Sequence, residues 1–325
     1  MKIKRIMKML RVNEWLFSKL PFLFLPILIS IENFDSIGSQ MMLCLFYFVY
    51  LFTFLGFGYA INDYSDREID KKVGKTNVMG ELSNWKCLII LFLLVLGCVP
   101  FAVMTFNIPS LLLFVFVYFW GAAYSVRPFR FKERGVAGLL VSSLAQRTIP
   151  LLPLLGISTN YWGIVIICGL IGFLVGLRYI LIHQYEDVKN DQISGTNTYV
   201  KNHNQSIAKM VYISFVIECV LTIILEIFFI KSVVGIVLTA LCVAQSFITY
   251  HTIQHIYRKS YFLSFICVPF EDMYNFYLPL SLLIGLVQQN IMWILPIIIL
   301  AIISAKDMIN KWKTAIFGIT HWRNH

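Results

Sequence analysis

The sequence predicts an all-α integral membrane protein, a bundle of nine to ten transmembrane helices. The first observation is composition: 58% of the 325 residues are hydrophobic and 14% are charged, and the mean hydropathy is +0.75. A soluble globular chain is about 45–50% apolar and about 25% charged. The second observation is a series of separated apolar stretches of membrane-spanning length. Together they exclude a disordered chain, a disulfide scaffold and an ordinary soluble enzyme.

Ten apolar stretches are candidate spans, because a helix needs about 20 residues to cross the hydrocarbon core. Helices are expected because a bilayer leaves no water to satisfy unpaired backbone groups. The alternation that is typical of membrane barrels does not recur along the chain. The ten stretches lie at about residues 15–31, 41–61, 86–105, 109–126, 136–157, 161–183, 209–229, 232–250, 270–288 and 291–306.

The basic residues predict the orientation of these spans. Of the 27 Lys and Arg, all except Lys19, Arg147 and Lys231 fall before the first span, in or beside the even-numbered loops, or in the tail. The positive-inside rule therefore places the N-terminus and those loops in the cytoplasm, in a multi-pass protein of the cell (inner) membrane. The basic tail favours ten spans over nine. Topology explains the net charge of +10, so no nucleic-acid partner is expected.

We expect a single domain over residues 1–325, without an obligate protein partner. Residues 1–14 form a cytoplasmic N-terminal segment, and residues 291–325 form an additional span with a basic tail. The seven Cys contain no CxxC pair, and most lie inside apolar stretches. They are interpreted as packing residues rather than a metal site or a disulfide set.

Acidic residues concentrate at the cytoplasmic ends of spans 2 and 6. At the end of span 2, Asp66 and Asp70 are four residues apart, and either Asn62 or Asp63 completes a set on one helix face. Carboxylates stacked in this way repel each other. The arrangement therefore indicates a divalent cation between them.

The end of span 6 repeats the pattern with Asp187 and Asp191, and His183 lies on the same face. Hard oxygen ligands, with no Cys and at most one His, favour Mg²⁺ over zinc. Since proteins commonly hold Mg²⁺ with one or two carboxylates plus substrate phosphates, the two clusters predict two halves of a metal–diphosphate site. The alternative is a pair of solvated acidic helix ends.

The two acidic clusters also align with each other, which indicates a pseudo-repeat of two four-helix halves. Span 2 then matches span 6, and such a repeat places both clusters across one central cavity. A shift of 121 residues pairs Tyr64 with Tyr185, Asp66 with Asp187, Asp70 with Asp191 and Gly74 with Gly195.

A basic segment lies between spans 4 and 5, at the same membrane surface as the acidic clusters. Its cations are Arg127, Arg130, Lys132 and Arg134. Arg130 and Lys132 can contact phosphate oxygens that the metal leaves free, Arg as a planar fork and Lys as a point charge. The alternative is ordinary positive-inside charge, which is favoured for Arg134.

Arg147 falls in the middle of span 5, where a buried Arg costs about 2.5–3.5 kcal/mol on insertion scales and is a functional candidate. It can point into the cavity toward a diphosphate or an anionic acceptor. Alternatively, it forms an ion pair with Glu218 or Glu226 of span 7. Glu271 and Asp272, at the start of span 9, contact an acceptor or lie at the membrane interface.

These motifs together resemble the UbiA superfamily of intramembrane prenyltransferases. Their order, spacing and membrane side match over about residues 10–290. The matching segments are Arg11 with Trp15, Asn62-Asp63-x-x-Asp66-x-x-x-Asp70, Tyr124-Ser125-x-x-Pro128-x-Arg130-x-Lys132, and Asp187-x-x-x-Asp191.

The resemblance implies a helical bundle around a central cavity that is open to the cytoplasm and to lipid. Members use Mg²⁺ to bind a prenyl diphosphate and transfer its prenyl group to an acceptor. By the resemblance, Tyr124 would face the reacting carbon, while Arg130 and Lys132 would neutralise the diphosphate, with Arg127 and Arg147 as further substrate-binding candidates. Two Mg²⁺ ions would be held by Asn62, Asp66 and Asp70 with Asp63 nearby, and by Asp187 and Asp191.

Ionisation of an allylic diphosphate produces a cation that water would capture, so the cavity must be dry. Aromatic faces can stabilise such a cation. The candidate aromatic walls include Phe114, Tyr118, Phe119 and Trp120, for which helix packing or lipid contact is the alternative.

The predicted function is a Mg²⁺-dependent prenyltransferase whose partners are a prenyl diphosphate, a hydrophobic and preferably aromatic acceptor, and membrane lipid. Residues 75–83 lack the Arg-Pro and Ser-Gly pairs that follow the first motif in many members, which leaves the acceptor open. The alternatives are a terpene cyclase of the same superfamily, which needs no acceptor, and a transferase to a phosphosugar. A cation-coupled transporter that binds its cations at the acidic clusters is disfavoured. It predicts charged or broken helices near the bilayer midplane, whereas these clusters lie at span ends.

Overall fold

The computed structural model describes residues 3–72, 74, 76–105, 108–157, 161–194, 199–200, 207–255 and 269–322. Within these residues every regular element is a helix and none is a strand. The all-α prediction is therefore confirmed for the part of the chain that is described. All ten apolar stretches contain helix.

The described residues of the first half form eight α-helices. Several are short because Pro residues or tight turns interrupt them, as at Pro100 and Pro109, which lie in the first turn of a helix where a missing N–H costs little. The helices are α1 (Ile3–Met9), α2 (Val12–Trp15), α3 (Leu20–Ser30), α4 (Ile37–Lys72), α5 (Asn84–Leu96), α6 (Val99–Met104), α7 (Ile108–Ala123) and α8 (Val136–Arg147).

The described part of the second half includes five α-helices of 12 or more residues and several short 3-10 or π segments. A 3-10 segment, Ile149–Gly156, continues α8, and a π segment, Met273–Tyr277, leads into the fourth helix of this half. The helices are α9 (Trp162–Ser194), α10 (Ile207–Leu225), α11 (Val233–His255), α12 (Leu278–Gln289) and α13 (Ile294–Trp322).

Length and apolarity identify five helical stretches that could cross a membrane, or six if the bent pair Val136–Arg147 and Ile149–Gly156, with its 51° angle, forms one span. Three shorter apolar helices are Leu20–Asn33, Ile108–Ala123 and Val233–Thr249. The chain is thus a multi-pass membrane protein, while the count of nine to ten spans and the pseudo-repeat stay predictions. The five stretches are Ile37–Lys71, Asn84–Met104, Trp162–Tyr185, Ile207–Ile230 and Ile291–Phe317.

Burial distinguishes central helices from peripheral ones. In α9, 72% of the most apolar window is buried inside the bundle, whereas the figure is 22% for the stretches Asn84–Met104, Ile207–Ile230 and Ile291–Phe317. Exposed Leu, Ile and Phe side chains on those outer helices are expected where lipid is the solvent. Helix α9 therefore forms the centre of the bundle.

Close packing joins α8 to α9. A Cβ added at Gly176 of α9 would lie 2.4 Å from the backbone oxygen of Ser143 in α8, a separation that no real side chain tolerates. One turn earlier, a Cβ at Gly172 would lie 3.0 Å from Cβ of Arg147. These two glycines let the helices approach and set the position of Arg147 at the end of α8.

Candidate active site

A cavity of about 480 Å³ lies between the N-terminal segment and helices α4, α7, α8 and α9. Polar side chains line it, and they include Tyr59, Asn62, Tyr124, Arg147 and Tyr179, while α7 contributes Gly121. Helices α4 and α9 both extend beyond their apolar stretches. Their last turns therefore carry the two acidic motifs.

Asn62 lies on α4 at the edge of this cavity. Its Oδ1 accepts hydrogen bonds from Ser125 Oγ at 2.8 Å and from Lys132 Nζ at 3.0 Å. Both donors belong to the segment that follows α7. The basic segment is therefore folded against the first acidic motif, as a site shared by the two motifs requires.

Asp66, one helical turn after Asn62, receives two cations at once. Its Oδ1 accepts from Arg130 Nη2 at 2.9 Å, and its Oδ2 accepts from Lys132 Nζ at 2.5 Å. The Asp66 side chain is 18% exposed, so the carboxylate stays partly accessible while two cations neutralise its charge. Asn62 lines the cavity, whereas Asp66, Arg130 and Lys132 are not among its lining residues.

The backbone after α7 places both cations. Arg130 adopts a left-handed conformation with φ of 38°, which turns the chain before the short helix Phe131–Glu133. The amide of Lys132 then donates to the carbonyl of Tyr124 at 3.1 Å. Arg130 is held further by Glu133, whose Oε1 accepts from Nε at 2.6 Å.

Burial lowers the pKa of Lys132, and the hydrogen bond and negative charge of Asp66 oppose that shift. An ammonium group that is less well solvated than an exposed lysine gains more from an anionic partner. Lys132 is thus suited to bind either the Asp66 carboxylate or a phosphate oxygen in its place.

The other two carboxylates of the first motif have different neighbours. Asp63 Oδ1 lies 3.6 Å from Arg11 Nη1. Asp70 is buried, and its Oδ2 accepts from Asn77 Nδ2 at 2.7 Å. Asn77 also donates to the backbone oxygen of Asp63 at 2.7 Å, so it fastens the segment after α4 back onto the motif.

The second motif lies on the last turns of α9, where Asp187 and Asp191 are helical. Their side chains fall outside the described residues. His183, one turn earlier, lines the cavity, so α9 presents this end of the helix to the site. Among the side chains that are described, no three His, Cys, Asp or Glu converge as a set of metal ligands.

Arg147 lines the cavity, as one of the two interpretations held, and it is also paired. Its Nη2 donates to Glu271 Oε1 at 2.6 Å and to the backbone oxygen of Ser18 at 2.8 Å. Tyr179 lies beneath the guanidinium and donates to the second oxygen of Glu271.

The expected partners of Arg147 were wrong. Glu218 instead accepts two hydrogen bonds from Arg178, at 2.9 and 2.6 Å, and Glu226 accepts from Thr239. Spacing along one helix cannot reveal which distant segment a charge meets. Glu271 is buried against Arg147, and its position at the membrane interface stays a prediction.

Some predicted residues lie away from the cavity. Arg127 is exposed, and it is not among the residues that line the cavity. The candidate aromatic walls do not line the cavity, and they follow the alternative of helix packing or lipid contact. Phe114, Tyr118 and Trp120 pack against other rings, and Phe119 is 45% exposed. The aromatic lining comes instead from Phe54, Tyr59, Tyr124 and Tyr179.

Sequence reasoning also missed residues that the structure brings to the cavity. Lys19 and Tyr59 line it without belonging to any motif, and Arg11 stacks on Tyr59 at 5.1 Å. A lysine inside an apolar stretch is the signal that could have identified Lys19.

Comparison with known proteins gives one family. The model of the UbiA prenyltransferase family matches residues 20–269. No curated protein matches the sequence.

Solved structures with this fold include one from a study of digeranylgeranylglyceryl phosphate synthase in membranes, with a TM-score of 0.61 and 16% identity over 86% of this chain and 98% of that chain. A UbiA homologue from Archaeoglobus fulgidus bound to DMAPP and Mg²⁺ gives a TM-score of 0.53 and 14% identity, over 96% of this chain and 99% of that chain. A UbiA homologue from the same organism bound to GPP and Mg²⁺ gives a TM-score of 0.57 and 16% identity, over 86% of this chain and 99% of that chain. At these identities the likeness concerns the fold.

Proposed function

The chain belongs to the UbiA prenyltransferase family, and on that premise we propose that it is a Mg²⁺-dependent enzyme that transfers the prenyl group of a prenyl diphosphate to a lipid-compatible acceptor. The observation that supports this most directly is the contact of Asp66 with Arg130 and Lys132 beside the cavity. A metal would bind this carboxylate, and a diphosphate would bind the two cations that the metal displaces from it.

Arg130 and Lys132 would bind the diphosphate. They lie on one short segment and reach the two oxygens of the same carboxylate, so their charged ends are as close as the oxygens of a phosphate group require. In the transition state the leaving diphosphate gains negative charge, and fixed cations at that position stabilise it more than they stabilise the substrate.

The donor set fits Mg²⁺. Asn62, which lines the cavity, and Asp66, one helical turn further along α4, offer hard oxygen ligands, and Asp63 is 16% exposed. We assign one ion to this motif, with Asp70 behind it, and a second to Asp187 and Asp191. Bound with the diphosphate, Mg²⁺ would act as a Lewis acid on the leaving oxygen.

The cavity would hold the reacting carbon near Tyr124. This residue and the aromatic side chains of Phe54 and Tyr59 line it, and their faces can stabilise an allylic cation. Apolar walls exclude the water that would otherwise capture the cation. An aromatic acceptor would fit between such rings.

The basic residues support an orientation in which the N-terminus and the active site face the cytoplasm of the cell (inner) membrane. The prenyl tail would lie among the apolar helices. Because that tail is already dissolved in lipid, its burial contributes little to affinity, and we assign selectivity to the head group and the reaction.

Asp66→Asn tests the proposal. The purified protein in lipid nanodiscs is supplied with Mg²⁺, radiolabelled prenyl diphosphates of several lengths and a membrane-lipid extract. Since Asn keeps the shape and removes the charge, we expect diphosphate release to fall by about a hundredfold or more. Glu68→Gln, an exposed acid on the same helix, is the matched control and should retain activity.

The same assay separates the related activities. Release that requires the lipid extract supports a transferase and gives a route to its acceptor. A hydrocarbon or cyclic terpene formed without any extract would instead make the protein a cyclase. Equal activity of Asp66→Asn and wild type would contradict the proposed site.

A further inference from the structure

The basic segment carries two cations that the proposed active site does not use. Arg127 and Arg134 are exposed. Among the described residues, neither guanidinium has an Asp or Glu oxygen within 4.0 Å. The acid next to Arg134 in the chain, Glu133, is already paired, because its Oε1 accepts from Arg130 Nε at 2.6 Å. Both arginines can therefore bind an anion that comes from outside the protein.

Side chains of this segment alternate between two surfaces. Arg130 and Lys132 reach the carboxylate of Asp66 on α4. Phe129 and Phe131, which alternate with them in the chain, pack instead against rings of α7 and stack on each other, with ring centroids 5.9 Å apart. The segment therefore has a cationic inner face at the active site and an aromatic outer face.

The aromatic outer face continues an apolar surface of α7. Phe129 is 40% exposed, and its ring centroid lies 5.4 Å from that of Phe119, which is also exposed. Residues one and two turns earlier on the same side of α7 are exposed as well. In a membrane protein such a surface contacts acyl chains, so the segment that follows α7 lies at the level of the lipid headgroups. The earlier residues are Leu112, Val115 and Phe116.

The two arginines lie at the polar end of this surface. The guanidinium of Arg134 is 5.6 Å from the centre of the Phe131 ring, and its Nη2 donates to the backbone oxygen of Pro128 at 2.6 Å. This contact brings Arg134 close to Arg127, which precedes Pro128 in the chain. An apolar aromatic surface that ends in two arginines complements a phospholipid, whose chains are apolar and whose phosphate is anionic.

We infer that the outer face of this segment binds an anionic phospholipid of the cytoplasmic leaflet, with Arg127 and Arg134 at its phosphate and Phe129 beside its acyl chains. Anionic lipids of that leaflet attract basic residues close to the membrane surface. The site goes beyond the proposed function, since it needs neither Mg²⁺ nor a prenyl diphosphate. A bound headgroup also stabilises the segment that carries Arg130 and Lys132.

The first test measures lipid affinity of the purified protein in a neutral detergent. Dioctanoyl phosphatidylglycerol is compared with dioctanoyl phosphatidylcholine, which has the same chains and phosphate but no net charge. Each basic residue near a lipid surface strengthens binding of anionic lipid by about fivefold. Wild type should therefore bind phosphatidylglycerol about tenfold or more tightly than phosphatidylcholine, and the double variant Arg127→Gln/Arg134→Gln should lose this preference.

The matched control is Lys86→Gln/Lys209→Gln, which removes two exposed cations at the starts of α5 and α10. It should keep the preference, and an equal loss would assign it to general surface charge and overturn the inference. Since Arg134 contacts other parts of the segment, Arg127→Gln alone is the second variant and should weaken phosphatidylglycerol binding by about fivefold. Equal binding of the two lipids by wild type, or a preference that survives in the double variant, would also overturn the inference.

A soluble anion separates a lipid site from a phosphate site. Glycerol 3-phosphate carries the anionic group without the chains, so it should not displace phosphatidylglycerol from wild type. Displacement at equal concentration would make the site one for a soluble phosphate and overturn the inference. Lys132→Gln should bind phosphatidylglycerol as wild type does. A loss in this variant, with the double arginine variant intact, would place the headgroup at the diphosphate cations and overturn the inference.

Hydrogen exchange locates the bound lipid. The protein is compared in nanodiscs of phosphatidylcholine alone and in nanodiscs that also contain phosphatidylglycerol. With the anionic lipid, backbone amides of residues 127–134 should exchange more slowly in wild type, and their exchange should not change in Arg127→Gln/Arg134→Gln. Unchanged exchange of this segment in wild type, or equal slowing in the double variant, would overturn the inference.

Discussion

Asn77 connects three parts of the first acidic motif through one side chain. Its Nδ2 donates to the carboxylate of Asp70 and to the backbone oxygen of Asp63, each at 2.7 Å, and its Oδ1 accepts from the amide of Gly80 at 2.9 Å. A short amide can therefore fix the end of α4 and the turn that follows it.

Asn77→Ala should destabilise the protein and lower its apparent affinity for Mg²⁺. The change leaves the buried Asp70 without that donor, which costs about 1–3 kcal/mol of unfolding free energy. Thermal unfolding in detergent and a Mg²⁺ titration of diphosphate release would measure both effects. Asn13→Ala, at an exposed position, serves as control; equal behaviour of the two variants would refute a structural role for Asn77.

Single residues also show where prediction from sequence ends. Spacing along a helix predicted that Asn62 and Asp66 share one face of α4, and Lys132 contacts both side chains, because that periodicity is local. The partner of Arg147 lies 124 positions away, and only the packing of the bundle brings Glu271 to it. Lys19 stood out only as a basic residue within span 1, and its contact with Tyr59, 40 positions away, depends on the packing of the bundle.

Among the elements, α8 and α9 form the scaffold of the cavity. Their contact is close enough that Gly176 of α9 meets the backbone of Ser143. Since Arg147 and Tyr179 extend from these two helices, the distance between the helices sets the width of the cavity wall.

Gly176→Ala should force the two helices apart. Its Cβ would meet backbone atoms that cannot rotate away, so we expect a loss of about 1–3 kcal/mol in unfolding free energy, together with reduced activity. Gly285→Ala is the matched control, because a Cβ there meets nothing within 4 Å and should be neutral or stabilising. Thermal unfolding of both variants tests this prediction. An unchanged unfolding free energy in Gly176→Ala would show that the helices pack more loosely than described.

At the scale of the whole molecule, apolar stretches located the helices because length and composition suffice for that. They did not locate the breaks. Helices α5 and α6 divide one predicted span, and α8 bends by 51° into Ile149–Gly156. Such breaks depend on Pro, on glycine contacts and on neighbouring helices, none of which a hydropathy average records.

Ten spans and a basic tail predict that both chain ends lie in the cytoplasm. Fusing a reporter that is active only in the cytoplasm to the C-terminus should give signal, whereas one that is active only outside should not. The same fusions at the N-terminus provide the reference for orientation. Opposite signals at the two ends would establish an odd number of spans and contradict the ten-span prediction.

The double occupation of Asp66 has a thermodynamic consequence. While Arg130 and Lys132 hold this carboxylate, it is a weaker ligand for a metal, and they are weaker ligands for a phosphate. When Arg130 and Lys132 leave Asp66, the carboxylate binds a metal more tightly and the two cations bind a phosphate more tightly. The affinities of the two ligands are therefore linked. Reciprocity then requires that each ligand tighten the other by the same factor. An enzyme built in this way stays electrostatically closed to either ligand alone and loads both together.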